Sequence, residues 1–287
     1  MKIGFIGIGV MGHSIVGHLL DAGHHVTLYT RTKSKATDLM ARGADWVDTP
    51  KEVAAASEVV FTMVGYPSDV EMTYFDEHTG LFAADIAGKT FVDLTTSTPT
   101  LAEAIYATAR ANNANSLDAP VSGGDLGARN GTLTVMVGGE KATYQQVLPL
   151  FKHFAKVCML HGSAGKGQHT KMANQIMIAG TMTGMTEMLV YAKATGLELE
   201  KVLETLSGGA AANWSMSNYS PRILQNDFSP GFFVKHFIKD LKIALDEAEK
   251  QQIALPGTAL AKELYEKLAN EGYENDGTQA LIKLWWK

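Results

Sequence analysis

Three polar residues stand together at the start of a long apolar stretch of the chain. Lys171, Asn174 and Gln175 are spaced i, i+3 and i+4, so they share one face if the stretch is helical. Packing alone does not account for them, because a polar group buried without a partner is costly. Burial lowers the pKa of a lysine, and a lysine with a lowered pKa can act as a general acid. Taken alone, however, a solvated lysine is the simpler interpretation.

A second polar segment follows the apolar run Ser116–Asp118. Its residues Ser122, Gly123 and Gly124 offer a hydroxyl and consecutive backbone amides, which can wrap a carboxylate as backbone nests do. Open α/β sheets bind their ligands at the carboxyl ends of strands, which is where this segment is expected. The segment therefore predicts a substrate-binding site, although by its sequence alone it is only a turn.

The run Gly7-Ile8-Gly9-Val10-Met11-Gly12 follows an apolar strand and opens an amphipathic helix. In that setting each glycine has a task. Gly7 makes the tight turn, Gly9 lets the backbone approach a pyrophosphate, and Gly12 lets the helix pack on the strand. The helix N-terminus then presents free N–H groups to the phosphates. The motif predicts a dinucleotide site.

The end of the second predicted strand, His25–Tyr29, bears on which dinucleotide binds. A unit that binds NAD usually places Asp or Glu there, to accept the ribose 2′-hydroxyl, and this chain has neither. Arg31 and Thr32, followed by Lys33 and Lys35, suit a 2′-phosphate instead. We therefore predict NADP, with NAD as the alternative. A basic loop that is merely solvated is the competing interpretation.

The elements that must position these residues differ between the two halves of the chain. Residues 1–161 alternate short apolar runs with amphipathic stretches, which predicts a Rossmann-type doubly wound α/β domain that binds NAD(P). Thr49-Pro50 and Thr98-Pro99 have the pattern of helix starts. Thr132–Val137 alternates apolar and polar residues and predicts an antiparallel edge strand. The predicted parallel strands are Lys2–Ile6, His25–Tyr29, Val59–Val64, Thr90–Asp93 and Ser116–Asp118.

After Gly167 the strand patterns stop, so residues 162–287 are predicted to form an all-helical domain for substrate binding and dimerisation. A long interdomain helix between Gly167 and Gly196 would enter it. That stretch carries only two Lys and one Glu and is apolar nearly all round, which predicts a buried helix. Trp285 and Trp286 would be costly to expose. They are expected to pack on a partner subunit or on their own domain, and we expect a homodimer or homotetramer.

Composition excludes several classes of protein. The 287 residues are 46% hydrophobic and 19% charged with a formal net charge of −5, which argues against a nucleic-acid partner. The single cysteine, Cys158, excludes an internal disulfide and is expected to be a buried strand residue in a reducing compartment. The nine histidines show no metal-binding spacing. Since no segment has 18 consecutive apolar residues, we expect a cytoplasmic protein without a membrane partner.

Four segments in order resemble the β-hydroxyacid dehydrogenase family, which includes 3-hydroxyisobutyrate dehydrogenase, tartronate semialdehyde (2-hydroxy-3-oxopropionate) reductase and the glyoxylate/succinic semialdehyde reductases. The segments are Gly4–Gly12, Asp118–Gly124, Gly162–Asn174 and Lys239–Leu241. The resemblance covers almost the whole chain. It implies hydride transfer between NADP(H) and a small β-hydroxyacid or its semialdehyde.

The resemblance also implies roles for individual residues. Lys171 would be the catalytic acid and base, Asn174 would orient the substrate, and Ser122 with the two glycines after it would hold the substrate carboxylate. Thr96 would lie by the nicotinamide ribose, and Lys239 would reach the cofactor from the helical domain. Phe232 and Asp240 would support this contact between Lys239 and the cofactor.

The chain departs from the family pattern at two positions. Gln175 stands where the family usually has a second Asn, which leaves the size of the substrate open, and Thr30 stands where an Asn often precedes the arginine. Rival interpretations are 6-phosphogluconate dehydrogenase, which is longer and has His in place of Asn174, and imine reductases, which lack the lysine. A non-catalytic NADP-binding module is a third.

Overall fold

A mostly parallel sheet organises the first of the two units into which the chain divides, Met1–Lys171 and Met172–Lys287. The computed structural model describes residues 1–286. Within that range the sheet has nine strands in the order β3-β2-β1-β4-β5-β6-β8-β7, with β9 paired to β8. The strands are β1 Lys2–Ile6, β2 His25–Tyr29, β3 Asp45–Trp46, β4 Val59–Thr62, β5 Thr90–Asp93, β6 Asn115–Asp118, β7 Val121–Ser122, β8 Leu133–Gly139 and β9 Ala155–Gly162.

The order of the strands confirms the doubly wound α/β class. From β1 the chain moves outward through β2 and β3, and it then returns to the other side of β1 to add β4, β5 and β6, all in parallel. The direction of winding reverses between β1 and β4. Ligands of open α/β sheets bind at such a reversal, beyond the carboxyl ends of the strands.

The prediction of an antiparallel edge strand over Thr132–Val137 was right in direction and wrong in position. β8 runs antiparallel to β6 and β7, but β9 pairs with it in parallel from Leu133 to Gly138, so β9 forms the edge. The alternation that indicated an edge ends at half-buried Thr134, and from Val135 onward β8 is buried on both faces. From Val157 onward, β9 alternates instead between exposed and half-buried residues.

The edge position of β9 also corrects the expectation for Cys158. The residue lies in a strand, as predicted, but it is half-buried rather than buried. Partial burial raises the pKa of its thiol to about 11. The thiol is therefore protonated at neutral pH, and thiols in that form are poor nucleophiles.

Helices cover the sheet of the first unit and bury its strands; β4, for example, is buried along its whole length. Thr49 and Thr98 cap α3 and α5 as the sequence predicts: Thr49 forms a capping box with Glu52, and Thr98 accepts from the backbone N–H of Leu101 at 3.2 Å. The helices that lie wholly within this unit are α1 Val10–Asp21, α2 Thr37–Ala41, α3 Pro50–Ala56, α4 Pro67–Phe75, α5 Pro99–Ala111, α6 Gly124–Arg129 and α7 Lys141–Phe151.

The second unit is helical, as predicted, with one isolated β-bridge between Phe233 and Gly277 among its described residues. Its core contains buried side chains such as Phe237, Leu241 and Tyr265. Trp286 joins this core and lies under the Lys193 ammonium, so of the two expectations for that residue, packing on its own domain is observed. The helices are α8 Lys166–Ala194, which starts within the first unit, α9 Leu199–Ser207, α10 Trp214–Leu224, α11 Val234–Lys250 and α12 Pro256–Leu268, followed by short helical turns at Ala269–Tyr273 and Thr278–Leu284.

The prediction that α8 is buried all round was wrong for one face. Met177 and Tyr191 are 68% and 70% exposed, and Gly180 and Gly184 on the same face are exposed as well. Beside this face lies a groove of about 700 Å³ between α8, α9 and the start of α10. Apolar composition predicts burial only on average, because it does not show which side of a helix has neighbours.

Within residues 1–286, no helix is both long and apolar enough to cross a membrane. The same part of the chain holds no cluster of three or more His, Cys, Asp or Glu side chains arranged to bind a metal ion.

Candidate active site

The turn after β1 shows why its glycines are needed. Gly7 has φ +97°, and a Cβ there would overlap the carbonyl oxygen of Met63. A Cβ on Gly12 would overlap the carbonyl oxygen of Gly7, so α1 approaches the turn too closely for any side chain. At Gly9 a Cβ would meet nothing within 4 Å. The first and third glycines are therefore required by packing, and the second faces open space.

That open space fits a dinucleotide pyrophosphate. Gly9 is the N-cap of α1 and has no side chain with which to bond the first-turn N–H groups. Ile8 is buried beneath the turn, Val10 is 53% exposed, and Met11 packs against the core. The backbone N–H groups that open α1 are thus held in place by packing and remain accessible to an anion.

The basic residues after β2 lie on the surface. Arg31 is 78% exposed, and its Nη1 lies 3.1 Å from Oδ1 of Asp69, the N3 residue of α4. Thr32 is exposed and precedes a single helical turn, Lys33–Ala36. An exposed ion pair of this kind contributes little, at most about 1 kcal/mol. Arg31 can therefore exchange Asp69 for a phosphate at low cost.

The loop after β5 places Thr96 between two buried residues, Thr95 and Ser97. The Thr95 backbone N–H donates to Oδ1 of Asp93 at 3.0 Å, and its Oγ1 accepts from the backbone N–H of Val64 at 3.0 Å. These bonds tie the loop to the ends of β4 and β5. Thr96 itself is half-buried at the carboxyl edge of the sheet.

Ser122, Gly123 and Gly124 connect β7 to α6. Ser122 pairs with Thr134 of β8 and is half-buried. Gly123 and Gly124 have φ values of +125° and +63°, which side chains rarely adopt. The conformation explains why two consecutive glycines stand here and leaves their backbone uncovered by side chains.

Asp118, at the end of β6, binds the first turn of α8. Its Oδ1 accepts from the backbone N–H of Gly165 and its Oδ2 from that of Gln168, each at 2.8 Å. Burial raises the pKa of this carboxyl group, and the backbone N–H groups partly oppose the rise. From its sequence, Asp118 was expected only as the first residue of a motif, and its bonds to the start of α8 were not predicted.

Gln168 is a second residue of the site that was not predicted from the sequence. It is fully buried, its Oε1 accepts from the backbone N–H of Ser97 at 2.9 Å, and its Nε2 donates to the carbonyl oxygen of Thr95 at 2.8 Å. Lys171 follows one turn later on α8 and is 6% exposed. The lysine predicted as the acid and base is therefore buried and lies next to a hydrogen-bonded turn.

In the second unit, Asn174, Gln175, Lys239 and Asp240 form one chain of polar contacts. Asn174 Nδ2 donates to Gln175 Oε1 at 2.7 Å, and Gln175 Nε2 donates to Asp240 Oδ2 at 2.6 Å. The Lys239 ammonium lies 3.0 Å from Asp240 Oδ1. Gln175 is fully buried, so in this arrangement its amide orients Asn174 and Asp240.

Phe232 precedes α11, the helix that carries Lys239 and Asp240. Its ring is half-buried and meets Phe237 edge to face, with ring centroids 5.8 Å apart. Each unit thus gathers its own share of the predicted site residues. In the first unit they lie at the carboxyl edge of the sheet and in the first turns of α8, and in the second they lie on α8 and α11.

Comparison with known proteins identifies the family. A model for the NAD binding domain of 6-phosphogluconate dehydrogenase matches residues 2–162. A model for the NAD-binding part of NADP-dependent 3-hydroxyisobutyrate dehydrogenase matches residues 165–285. The chain is 36% identical over 283 residues to 2-hydroxy-3-oxopropionate reductase of Escherichia coli, covering 99% of this chain and 96% of that one. The chain belongs to the β-hydroxyacid dehydrogenase family.

Further members of the family agree with this assignment. The probable 3-hydroxyisobutyrate dehydrogenase-like 1 of Arabidopsis thaliana is 50% identical over 281 residues, covering 98% of this chain and 84% of that protein. The structure of Mycobacterium tuberculosis 3-hydroxyisobutyrate dehydrogenase with L-serine superposes with a TM-score of 0.89 at 29% identity, covering 99% and 98% of the two chains. An imine reductase from a Pseudomonas species, 19% identical with a TM-score of 0.66, shares the fold alone.

This β-hydroxyacid dehydrogenase is therefore an NAD(P)-dependent oxidoreductase that acts on the CH–OH group of hydroxyacids. The glycine turn is consistent with the nicotinamide dinucleotide that the family uses. The expectation of an enzyme rather than a non-catalytic binding module is confirmed.

Proposed function

We propose that the enzyme transfers a hydride between NADP(H) and a small β-hydroxyacid or its semialdehyde, in the manner of 3-hydroxyisobutyrate dehydrogenase or 2-hydroxy-3-oxopropionate reductase. The burial of Lys171, 6% exposed on α8, carries the proposal. Burying a lysine is costly, because its ammonium group loses hydration, and a lysine without a task in the interior would therefore stay at the surface. A buried lysine next to a hydrogen-bonded turn is suited to exchange a proton with a bound substrate.

Lys171 would act on the oxygen of the reacting carbon. During reduction it gives a proton to the developing alkoxide, and during oxidation the neutral amine removes the hydroxyl proton. Its low exposure keeps bulk water from competing for that proton. When bound, the nicotinamide supplies or accepts the hydride, and the protein supplies orientation and charge.

The substrate carboxylate would be held by Ser122, Gly123 and Gly124, through the serine hydroxyl and the glycine N–H groups. Asn174 would orient the substrate, and its own amide is fixed by the bond to Gln175. Gln175 was predicted to bind substrate. Because its amide already bonds Asn174 and Asp240, we propose that its effect on substrate size is exerted through the position of Asn174.

NADP is proposed over NAD because the end of β2 carries no acid, whereas Arg31 and Thr32 can donate to a 2′-phosphate. Lys239 would contact the cofactor with its ammonium oriented by Asp240, and Phe232 would support that contact. The residues proposed to hold the cofactor are Gly7, Ile8, Gly9, Val10, Met11, Gly12, Arg31, Thr32, Thr96, Phe232, Lys239 and Asp240.

The proposal is tested by turnover of a panel of three- and four-carbon semialdehydes with NADPH, comparing wild type with Lys171→Ala. Loss of a general acid typically lowers the rate about 10²- to 10⁴-fold. We expect kcat to fall in that range for the best substrate, with the dissociation constant for NADPH close to that of wild type. A variant that keeps near-full turnover would show that Lys171 is not the acid and base.

A further inference from the structure

The first turn of α8 is joined by a side chain to the loop that follows β5. The side-chain amide of Gln168 forms a hydrogen bond with each of its polar atoms. Its Oε1 accepts from the backbone N–H of Ser97 at 2.9 Å, and its Nε2 donates to the carbonyl oxygen of Thr95 at 2.8 Å. Glutamate offers the acceptor without the donor, and methionine, of similar length, offers neither. The site therefore requires the amide in particular.

The two residues bonded to Gln168 lie on either side of Thr96. Thr95 is bonded again on its other side, since its Oγ1 accepts from Val64 N–H at 3.0 Å. The loop is thus held from the sheet by Val64 and from α8 by Gln168. Thr96, the residue proposed to lie by the nicotinamide ribose, has a fixed neighbour on each side.

Gln168 is also fixed through its backbone, because its N–H donates to Oδ2 of Asp118 at 2.8 Å. Lys171 comes three residues later, so its side chain leaves the same face of the helix. Over a single helical turn the backbone is rigid. The bonds of Gln168 therefore set where Lys171 lies relative to the loop around Thr96, within one unit of the protein.

We propose that Gln168 is a positioning residue for the hydride-transfer reaction. It holds the turn that carries Lys171 in a fixed position relative to Thr96, so that the proton-transferring amine and the nicotinamide ribose keep their separation. The inference rests on the roles proposed above for Lys171 and Thr96. A displacement of a catalytic group by 1 Å can lower a rate by about 10²-fold, so loss of these bonds should be measurable.

The first test is Gln168→Met, which keeps the length of the side chain and removes both hydrogen bonds. We expect kcat to fall about 10- to 100-fold while the substrate KM changes less than kcat. Gln279→Met is the matched control. Gln279 is also fully buried and donates from Nε2 to the carbonyls of Asp227 and Ser229 at 3.1 Å, and none of these three is a proposed site residue. The control should lose stability and keep kcat.

A double-mutant cycle separates positioning from a general loss of structure. If Gln168 acts through Lys171, Gln168→Met should lower the residual single-turnover rate of Lys171→Ala by less than twofold (about 0.4 kcal/mol), because the group that it positions is gone. An equal fold-loss in the two backgrounds would overturn the inference. So would a loss of kcat in Gln279→Met as large as that in Gln168→Met.

Gln168→Glu provides a second test if the methionine variant does not fold. The carboxylate still accepts from Ser97 but cannot donate to the Thr95 carbonyl until it is protonated. The ratio of its kcat to that of wild type should therefore rise as pH falls. A ratio that stays at one across the pH range would show that the Thr95 bond has no part in catalysis and would overturn the inference.

Failure of the inference differs from failure of the proposed function. If Lys171→Ala keeps wild-type turnover, the proposed acid and base is wrong and the positioning role fails with it. If Lys171→Ala is inactive while Gln168→Met keeps wild-type kcat, the proposed function stands and only the role of Gln168 is wrong.

Discussion

Among single residues, Gly123 occupies a position where the structure disfavours any side chain. Its φ of +125° disfavours a side chain, and a Cβ would lie 3.2 Å from Cδ2 of Leu133. Gly123→Val should distort the amides proposed to bind the substrate carboxylate. A hydrogen bond to a charged group contributes about 1.5–3 kcal/mol, so we expect the substrate KM to rise about 10- to 100-fold with NADPH affinity unchanged.

A matched control for that variant is Gly23→Val. Gly23 also has a positive φ, +79°, but a Cβ there meets nothing within 4 Å. The Gly23→Val variant should introduce a similar backbone strain and leave the substrate KM as in wild type. Normal substrate binding by Gly123→Val, measured by steady-state kinetics, would place the carboxylate site elsewhere.

Arg31 is the residue on which cofactor choice is expected to depend. A charge-assisted bond to the 2′-phosphate predicts a preference for NADPH over NADH of about 10- to 100-fold in kcat/KM. Arg31→Ala should lose that preference by weaker NADPH binding and keep its NADH activity. Salt should erode the preference too, because the side chain is 78% exposed.

The Asp69 carboxylate beside Arg31 supplies the converse test. Asp69→Asn removes a competing charge and keeps an acceptor for the backbone N–H of Tyr66, which donates to Oδ2 of Asp69 at 3.1 Å. We expect tighter NADPH binding in that variant by equilibrium fluorescence titration. Equal use of both cofactors by wild type would show that Arg31 is only a solvated loop charge.

At the scale of elements, the start of α8 is packed without space to spare. A Cβ on Gly167 would lie 2.5 Å from the carbonyl oxygens of Asp118 and Met136, which are backbone atoms and cannot turn aside. Gly167→Ala should therefore lower the free energy of unfolding by about 1–3 kcal/mol. To relieve the clash, the backbone at Gly167 must move. Because this movement occurs one turn before Lys171, kcat should fall as well.

Gly257→Ala in α12 is the control, since a Cβ at Gly257 meets nothing within 4 Å and the residue does not lie on the exposed face of α8. Replacing a glycine inside a helix by alanine stabilises by about 0.5–1 kcal/mol. Chemical denaturation of both variants should therefore give changes of opposite sign. Two changes of the same sign would contradict the packing described for the start of α8.

The same elements show what sequence could and could not predict. The turn from Gly7 to Gly12 was predictable because strand, turn and helix are neighbours in the chain. The bonds of Gln168 and Asp118 were not, because they join residues 47 to 73 positions apart. The edge position of β9 was missed for the same reason, since pairing with β8 depends on a partner that the alternation within one strand does not reveal.

At the scale of the whole molecule, the exposed face of α8 bears on assembly. Exposed apolar side chains that line a continuous groove often mark interaction sites, and this face carries Met177 and Tyr191 beside a groove of about 700 Å³. The expectation of a homodimer or homotetramer remains a proposal. Burial of this face between copies would account for the apolar composition that predicted a buried helix.

Met177→Lys tests this assembly, with Met72→Lys as its control. The two methionines are 68% and 67% exposed, but Met72 lies on α4 of the first unit and is not part of α8. Light scattering should give wild type a mass two or four times the 30.9 kDa of one chain. Met177→Lys should shift toward a single chain and melt at a temperature that no longer rises with protein concentration, because a charge is costly to bury at an interface. Met72→Lys should behave as wild type. If wild type has the mass of one chain, or if the two variants behave alike, the exposed face of α8 is not the interface between copies.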